Sequence, residues 1–191
     1  MTKQVVVGDE MSAWKVNSGE GDNVKVLRKR TQGATFGKAL FGSTVTFSGD
    51  IIERLLEEAD CVFNFHLPCP HCGTKQQLEW GSKDTDHGMK WDAKAGSIDE
   101  AAASAYYSCI KNECRASESK GKIYYKNLIK MEEAGIWICE KSGIWTHNGI
   151  QFFNQSGSKI TAPKRVGIKV SALYSLNLTE GWVEIVREWL D

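Results

Sequence analysis

Four of the six cysteines in this chain carry metal-ligand spacing: Cys69-Pro-His-Cys72-Gly is followed by Cys109-x4-Cys114. Two close thiol pairs separated by an intervening segment are what a tetrahedral zinc site requires, with each pair expected at a tight chain reversal. Pro70 and Gly73 supply the bends, and Gly73 admits positive φ beside the metal. A shell filled by four thiolates leaves no open position for water or substrate. The zinc is therefore structural, and it locates a module without revealing a reaction. The competing reading is of free or disulfide-bonded cysteines. Cys61 and Cys139 stand in apolar sequence and read as core thiols rather than as a third ligand pair. His66, His71, His87 and His147 are not needed as ligands once four thiolates fill the shell.

A second constellation opens the chain. Val5-Val6-Val7-Gly8 is an apolar β-branched run ending at two carboxylates, Asp9 and Glu10. A continuous apolar strand predicts burial on both faces, as in the centre of a parallel sheet. Carboxylates at its C-terminal end would project into the crevice where α/β sheets hold ligands. In a nucleotide-hydrolysing core the first of two such groups helps hold Mg²⁺ and the next orients the attacking water. Strands ending in Asp-Glu are common, so the pair alone is a weak signal. The pattern Gly-x-x-x-x-Gly-Lys-Ser/Thr is absent from the sequence.

These residues need elements to hold them. Asp22 can open a helix carrying Val24, Leu27 and Arg28, after a Gly-rich acidic loop over 17–22. Ala39-Leu40-Phe41-Gly42 reads as a second strand ending at Ser43-Thr44, and strand, helix, strand predicts adjacent parallel strands. Ser48 or Asp50 can cap a helix through Ala59. Phe63, Phe65 and Leu67 alternate into the first cysteine pair, and Leu78 and Trp80 repeat that pattern after it. Residues 81–104 read as a mobile insertion, and Tyr106-Tyr107-Ser108 as the strand entering the second pair, an order that fits a zinc ribbon. Beyond it lie a helix over 124–134 with Leu128, Ile129 and Met131 apolar and Gly135 as C-cap, and strands around Trp137 and Trp145. A strand over 166–170 and a final helix with Trp182, Ile185, Val186 and Trp189 as its apolar stripe complete the chain.

Composition bounds the function. A chain of 191 residues forms one domain or two small ones, and 24 basic against 24 acidic side chains give no global footprint for nucleic acid. No apolar run approaches the roughly 18 residues needed to span a bilayer, and the N-terminus does not read as a signal peptide. The tryptophans Trp137, Trp182 and Trp189 read as core rather than as base-stacking platforms, and Lys25, Arg28, Lys29 and Arg30 as a solvated helix face.

The order of these features resembles one family. Asp9-Glu10, Gly19-Glu20-Gly21-Asp22, Gly42-Ser43-Thr44, Cys69-Pro-His-Cys72-Gly, the Trp137 strand and Ser171-Ala172-Leu173-Tyr174-Ser175 appear in sequence before an aromatic helix. This is similar to the large terminase subunit of tailed bacteriophages, in its lambda-type (GpA) branch, from the Walker B motif to the end of the ATPase region. The resemblance implies an α/β fold: the C-terminal part of a P-loop (ASCE-type) NTPase parallel sheet with an inserted four-cysteine zinc-ribbon-like module. Residues 1–60 would be the second half of the ATPase core and 61–120 the zinc module. Residues 121–191 would complete the ATPase region and lead to a nuclease domain outside the chain.

By that resemblance Asp9 is the Walker B aspartate, a Mg²⁺ and ATP partner, and Glu10 the catalytic glutamate. Ser43 and Thr44 form the coupling motif, where Val45 stands in place of the family's common proline. The implied function is part of the ATP-driven motor that packages viral DNA into procapsids, an ATPase and endonuclease in the intact protein. Zn²⁺, Mg²⁺ and ATP are the implied cofactors. Double-stranded viral DNA, the small terminase subunit, the portal or procapsid and further copies of the chain are the implied partners, with no membrane, in the host bacterial cytoplasm. The chain reads as a fragment, a split-gene piece or a prophage remnant, inactive alone. The alternative is a stand-alone zinc-ribbon interaction module in which Asp9 and Glu10 are merely structural.

Overall fold

The computed structural model describes residues 3–14, 17–18, 21–81 and 84–191; Gly19 and Glu20 of the acidic loop lie outside the described residues. The chain divides into two compact units, Met1–Asp60 with Arg165–Gly167, and Cys61–Lys164 with Ile168–Asp191. The described architecture is mixed α/β.

In the first unit, strand β1 (Val5–Gly8), helix α1 (Asn23–Lys29) and strand β2 (Lys38–Phe41) form the expected parallel pair with an intervening helix, Val5 opposite Lys38 and Gly8 opposite Phe41. Asp22 caps α1 by accepting hydrogen bonds from Val24 N and Lys25 N. Helix α2 (Ile51–Glu57) is capped by Asp50. Met11, Val24, Ile51 and Ile52 make a small core with Leu27, Phe41, Leu55 and Leu56. The expectation that β1 is buried on both faces is not met. Val5, Val7 and Leu40 are 57, 62 and 63% exposed, while Gly8 faces the core. The alternation of side chains across a strand puts Val5 and Val7 on the outer face, and no described element covers it.

In the second unit, strand β3 (Cys61–Pro68) carries β4 (Lys75–Gln76) as a hairpin partner. Strands β5 (Gly88–Lys90), β6 (Tyr106–Ser108) and β7 (Lys122–Ile123) form a three-stranded antiparallel sheet; helix α3 (Ile98–Ala103) precedes β6, and the four-residue helix α4 (Asn112–Arg115) lies between β6 and β7. Helix α5 (Leu128–Glu133) leads to β8 (Ile136–Ile138), β9 (Trp145–Thr146), β10 (Phe152–Phe153) and β11 (Lys159–Ile160), ordered β11-β10-β9-β8-β3 in a second antiparallel sheet. A strand over Val166–Lys169 follows, its first two residues grouped with the first unit, and helix α6 (Trp182–Leu190) is the last element.

Two expectations need correction here. Residues 81–104 hold β5 and α3, whose Ala101 and Ala102 are buried; α3 packs on α6, with Arg187 Nε 2.8 Å from Asp99 Oδ1. Small side chains that read as linker composition permit that close helix packing. Ile129 is exposed, because only Leu128 and Met131 of α5 face the core. Trp189 is 65% exposed, although its ring lies 5.2 Å from that of Trp80. The principal core unites Leu67, Leu78, Tyr107, Leu128, Trp182 and Val186 with Cys69, Cys109 and Cys114.

Candidate metal centre and carboxylate site

The four cysteines named from spacing converge. Their Sγ atoms all lie within 4.8 Å of one another, with Cys69 to Cys114 and Cys72 to Cys109 each at 3.8 Å. A tetrahedral ion with Zn–S bonds of about 2.3 Å has sulfur–sulfur edges of about 3.8 Å, so the donor set fits such an ion. The first corner is a turn in which Cys69 N donates to Thr74 O and Gly73 N to Cys69 O, with Gly73 at φ 71°. The second corner is not a tight reversal of the same kind. Cys109 follows β6, while Cys114 is supplied by α4, because five-residue spacing suits a strand end and a helical turn.

Other groups hold these corners, and the ligand spacing gave no sign of them. Cys109 N donates to Gly121 O at 3.0 Å, and Arg115 Nη1 donates to the carbonyls of Cys109 and Ile110 at 2.7 and 2.8 Å. A Cβ on Gly121 would meet Cys109 Cβ at 3.2 Å and Arg115 Cγ at 3.0 Å, so only glycine lets this backbone approach Cys109. His71 Nε2 lies 2.7 Å from Lys122 O, fastening the first corner to β7. Lys111 N donates to Cys109 Sγ at 3.5 Å.

The thiols differ in acidity. Burial opposes ionisation of Cys72, but hydrogen bonds with the Thr74 hydroxyl and backbone outweigh it and bring the thiol down to about 6. Burial pushes Cys114 up to about 11 and Cys109 higher still, with Cys69 and Cys72 adding to both. A bound divalent cation would supply the charge that lets Cys109 and Cys114 lose their protons.

The carboxylates stand at the C-terminal end of β1. Glu10 has left-handed backbone, φ 50° and ψ 40°, and its N–H donates to Asp9 Oδ1 at 3.0 Å. Met11 N donates to Gly42 O at 3.1 Å and Ser12 N to Ser43 Oγ at 3.1 Å, so the segment after Asp9-Glu10 is tied to the segment after β2. By sequence pattern alone Asp50 is, with Ser48, one of two candidate caps for a helix. In the structure its Oδ1 accepts from Ile52 N and Glu53 N, while its Oδ2 accepts from Ser12 Oγ at 2.8 Å and Thr46 N at 3.0 Å. These bonds, led by the backbone N–H of Glu53 and of Thr46, hold the Asp50 carboxyl below its usual range. Thr44 makes no hydrogen bond to this network among those described, and neither Asp9 nor Glu10 is buried.

The remaining named residues lie elsewhere. His66 is 3.8 Å from Glu140, His87 3.9 Å from Glu79, and His147 Nδ1 3.1 Å from Gly135 O; none joins the thiol cluster. Arg28 pairs with Glu58 at 3.3 Å and lies over the Phe41 ring. Cys61 and Cys139 are buried in one cluster with Phe63 and Phe152.

Residues 1–137 match the family model described as phage terminase large subunit gpA, ATPase domain. This chain belongs to that family. The family region contains Asp9, Glu10, Ser43, Thr44 and all four clustered cysteines. Among curated proteins, the terminase large subunit of Escherichia phage lambda is 34% identical over 188 residues, covering 95% of this chain. That of Enterobacteria phage P21 is 32% identical over 189 residues, covering 98%. The chain spans about a quarter of the length of these relatives, 26 and 27%. No solved structure matches it. No helix among the described residues of this terminase-family chain is long and apolar enough to cross a membrane.

Proposed function

We propose that this chain is the part of a terminase large subunit that carries the Walker B carboxylates, the coupling segment and a structural zinc module of an ATP-driven DNA-packaging motor. The observation that carries this reading is the junction of the two parallel strands. Asp9 and Glu10 follow β1, Gly42 and Ser43 follow β2, and backbone bonds fasten the two segments to each other. The left-handed conformation of Glu10 adds support, since such backbone costs a non-glycine residue on the order of 1–3 kcal/mol and clusters at functional sites.

In this reading Asp9, exposed at the strand end, helps hold Mg²⁺ with ATP, and the bound ion neutralises charge on the phosphates. Glu10 accepts a proton from, and orients, the attacking water. Ser43, bonded to Ser12 N, links the state of the site to β2, and Thr44 extends that coupling segment. The sequence has no phosphate loop, so the phosphates must be cradled by another segment. The four thiolates hold zinc in a module with one turn-type corner and one helical ligand, an altered ribbon. Double-stranded viral DNA, a small terminase subunit, a portal or procapsid and further copies of the chain are the partners, in the host bacterial cytoplasm; a nuclease domain lies outside residues 1–191.

The test joins this chain to a phosphate-loop-bearing terminase segment. Glu10→Gln should abolish ATP hydrolysis and DNA packaging while ATP binding persists, and Asp9→Asn should weaken Mg²⁺-dependent binding as well. Packaging at the parent rate by Glu10→Gln would overturn the assignment.

A further inference from the structure

The turn that presents Cys69 and Cys72 occurs twice in the second unit, and the second copy places Cys139 and Ser142 at the corresponding positions. In Cys69-Pro-His-Cys72-Gly73-Thr74, Cys69 N donates to Thr74 O at 2.9 Å and Gly73 N to Cys69 O at 2.8 Å. In Cys139-Glu-Lys-Ser142-Gly143-Ile144, Cys139 N donates to Ile144 O at 2.8 Å and Gly143 N to Cys139 O at 2.8 Å. The two glycines have φ of 71° and 69°. Each turn directly follows a strand, β3 and β8, and these strands are antiparallel partners. The backbone that aims two side chains at one ion is thus reproduced, with the Ser142 hydroxyl where Cys72 stands in the first copy.

A third donor comes from the start of β3. Cys61 Sγ lies 3.7 Å from Ser142 Oγ, and, against the opposing effect of burial, the Ser142 and Cys61 side chains hold the Cys139 thiol below its ordinary value. Cys61 and Cys139 are buried among Phe63, Phe152 and Trp137, whereas Ser142 is exposed and opens the group to solvent. Two sulfurs and an oxygen therefore converge on one side against an apolar wall.

We propose that Cys61, Cys139 and Ser142 form a second metal site, for a thiophilic divalent d¹⁰ cation of the zinc and cadmium class. Charge selects the valence: two thiolates and a divalent ion make a neutral complex, which an apolar wall tolerates, whereas a monovalent ion would leave a net negative charge there. Softness selects the class, since thiolates favour such ions over magnesium or calcium. Binding breaks two S–H bonds, forms two metal–sulfur bonds and releases two protons, with no change of oxidation state. The site is weaker than the four-thiolate cluster, because it has one donor fewer and a neutral hydroxyl in place of a thiolate.

The experiment is a Cd²⁺ titration of the whole chain in a non-thiol reductant, followed by ¹¹³Cd NMR and sulfur-to-cadmium charge-transfer absorbance. We expect two Cd²⁺ per chain at saturation and two resonances, the second upfield of the four-thiolate signal because an oxygen replaces sulfur. Cys139→Ala should remove the second resonance alone. Ser142→Cys, which adds a thiolate on the existing turn, should tighten the second ion at least tenfold and leave the first unchanged. Saturation at one Cd²⁺, a second resonance that survives Cys139→Ala, or a second affinity unmoved by Ser142→Cys would each overturn the site. If Cys139→Ala fails to fold, the Ser142→Cys titration decides.

Discussion

Ser12 Oγ donates to Asp50 Oδ2 at 2.8 Å, joining the segment that follows the paired carboxylates to the N-cap of α2. Asp50 is almost wholly buried, and its four hydrogen bonds fix a short helix, a loop and the end of the Asp9-Glu10 turn together. The geometry beside Glu10 thus depends on a residue that would touch neither nucleotide nor water.

Asp50→Asn should therefore loosen the first unit. The carboxyl is depressed from its ordinary value of 3.8, so its contribution is fully present above that value and is lost as pH falls through the folded pKa. Amide exchange at Ile52 and Glu53 should quicken in the variant at neutral pH, and the gap from the parent should begin to narrow only below 3.8 and close once pH has fallen past the folded pKa. A gap that persisted in acid would assign the effect to packing instead.

Zinc should copurify with the chain at the four-thiolate cluster, which will saturate before any weaker site. Cys72→Ser or Cys109→Ser should release it and melt the second unit. Structural zinc contributes about 10–16 kcal/mol of apparent binding free energy in small peptides, more than this loop-rich region can replace by packing. Metal-free protein by elemental analysis, or a Cys69→Ser variant with unchanged melting, would contradict the centre.

Glu10→Gly should separate function from stability. Its left-handed backbone is one that glycine adopts without strain. Glu10→Gly should leave thermal stability unchanged or raised by up to about 1 kcal/mol, while eliminating hydrolysis in the phosphate-loop-joined protein. A clear loss of stability would mean the side chain supports the fold.

Residues 1–191 alone should not turn over ATP. Phosphoryl transfer depends on positioning and charge stabilisation, and the sequence has no phosphate loop to provide them. Robust Mg²⁺-dependent hydrolysis by the isolated chain, lost in Glu10→Gln, would relocate the nucleotide site.

Tyr174 should prove a clamp. Its hydroxyl donates to Phe65 O and accepts from Leu78 N, both at 2.7 Å, while Tyr107 holds Gln77 O and Glu79 N from the other side. Tyr174→Phe leaves two backbone groups without this partner and should cost about 1–3 kcal/mol in urea unfolding. A loss well under 0.5 kcal/mol would show that water replaces it.

The sequence alone determined what short-range order can encode. Ligand spacing picked out the four cysteines, strand alternation in β3 and the Asp22 and Asp50 caps set local elements, and the order of motifs pointed to the terminase family. Tertiary structure decided what depends on residues far apart in the chain. Gly135 reads locally as a helix cap, yet a Cβ there would meet Phe65 at 2.4 Å, so close packing requires it. Ile129 and Trp189 continue apolar stripes that their neighbours leave exposed. The Cys139 turn repeats the Cys69 turn through backbone hydrogen bonds that no cysteine count reveals, since its second thiol is a serine and its third donor, Cys61, arrives from another strand. Side-chain periodicity specifies a face, but only chain closure specifies what that face meets.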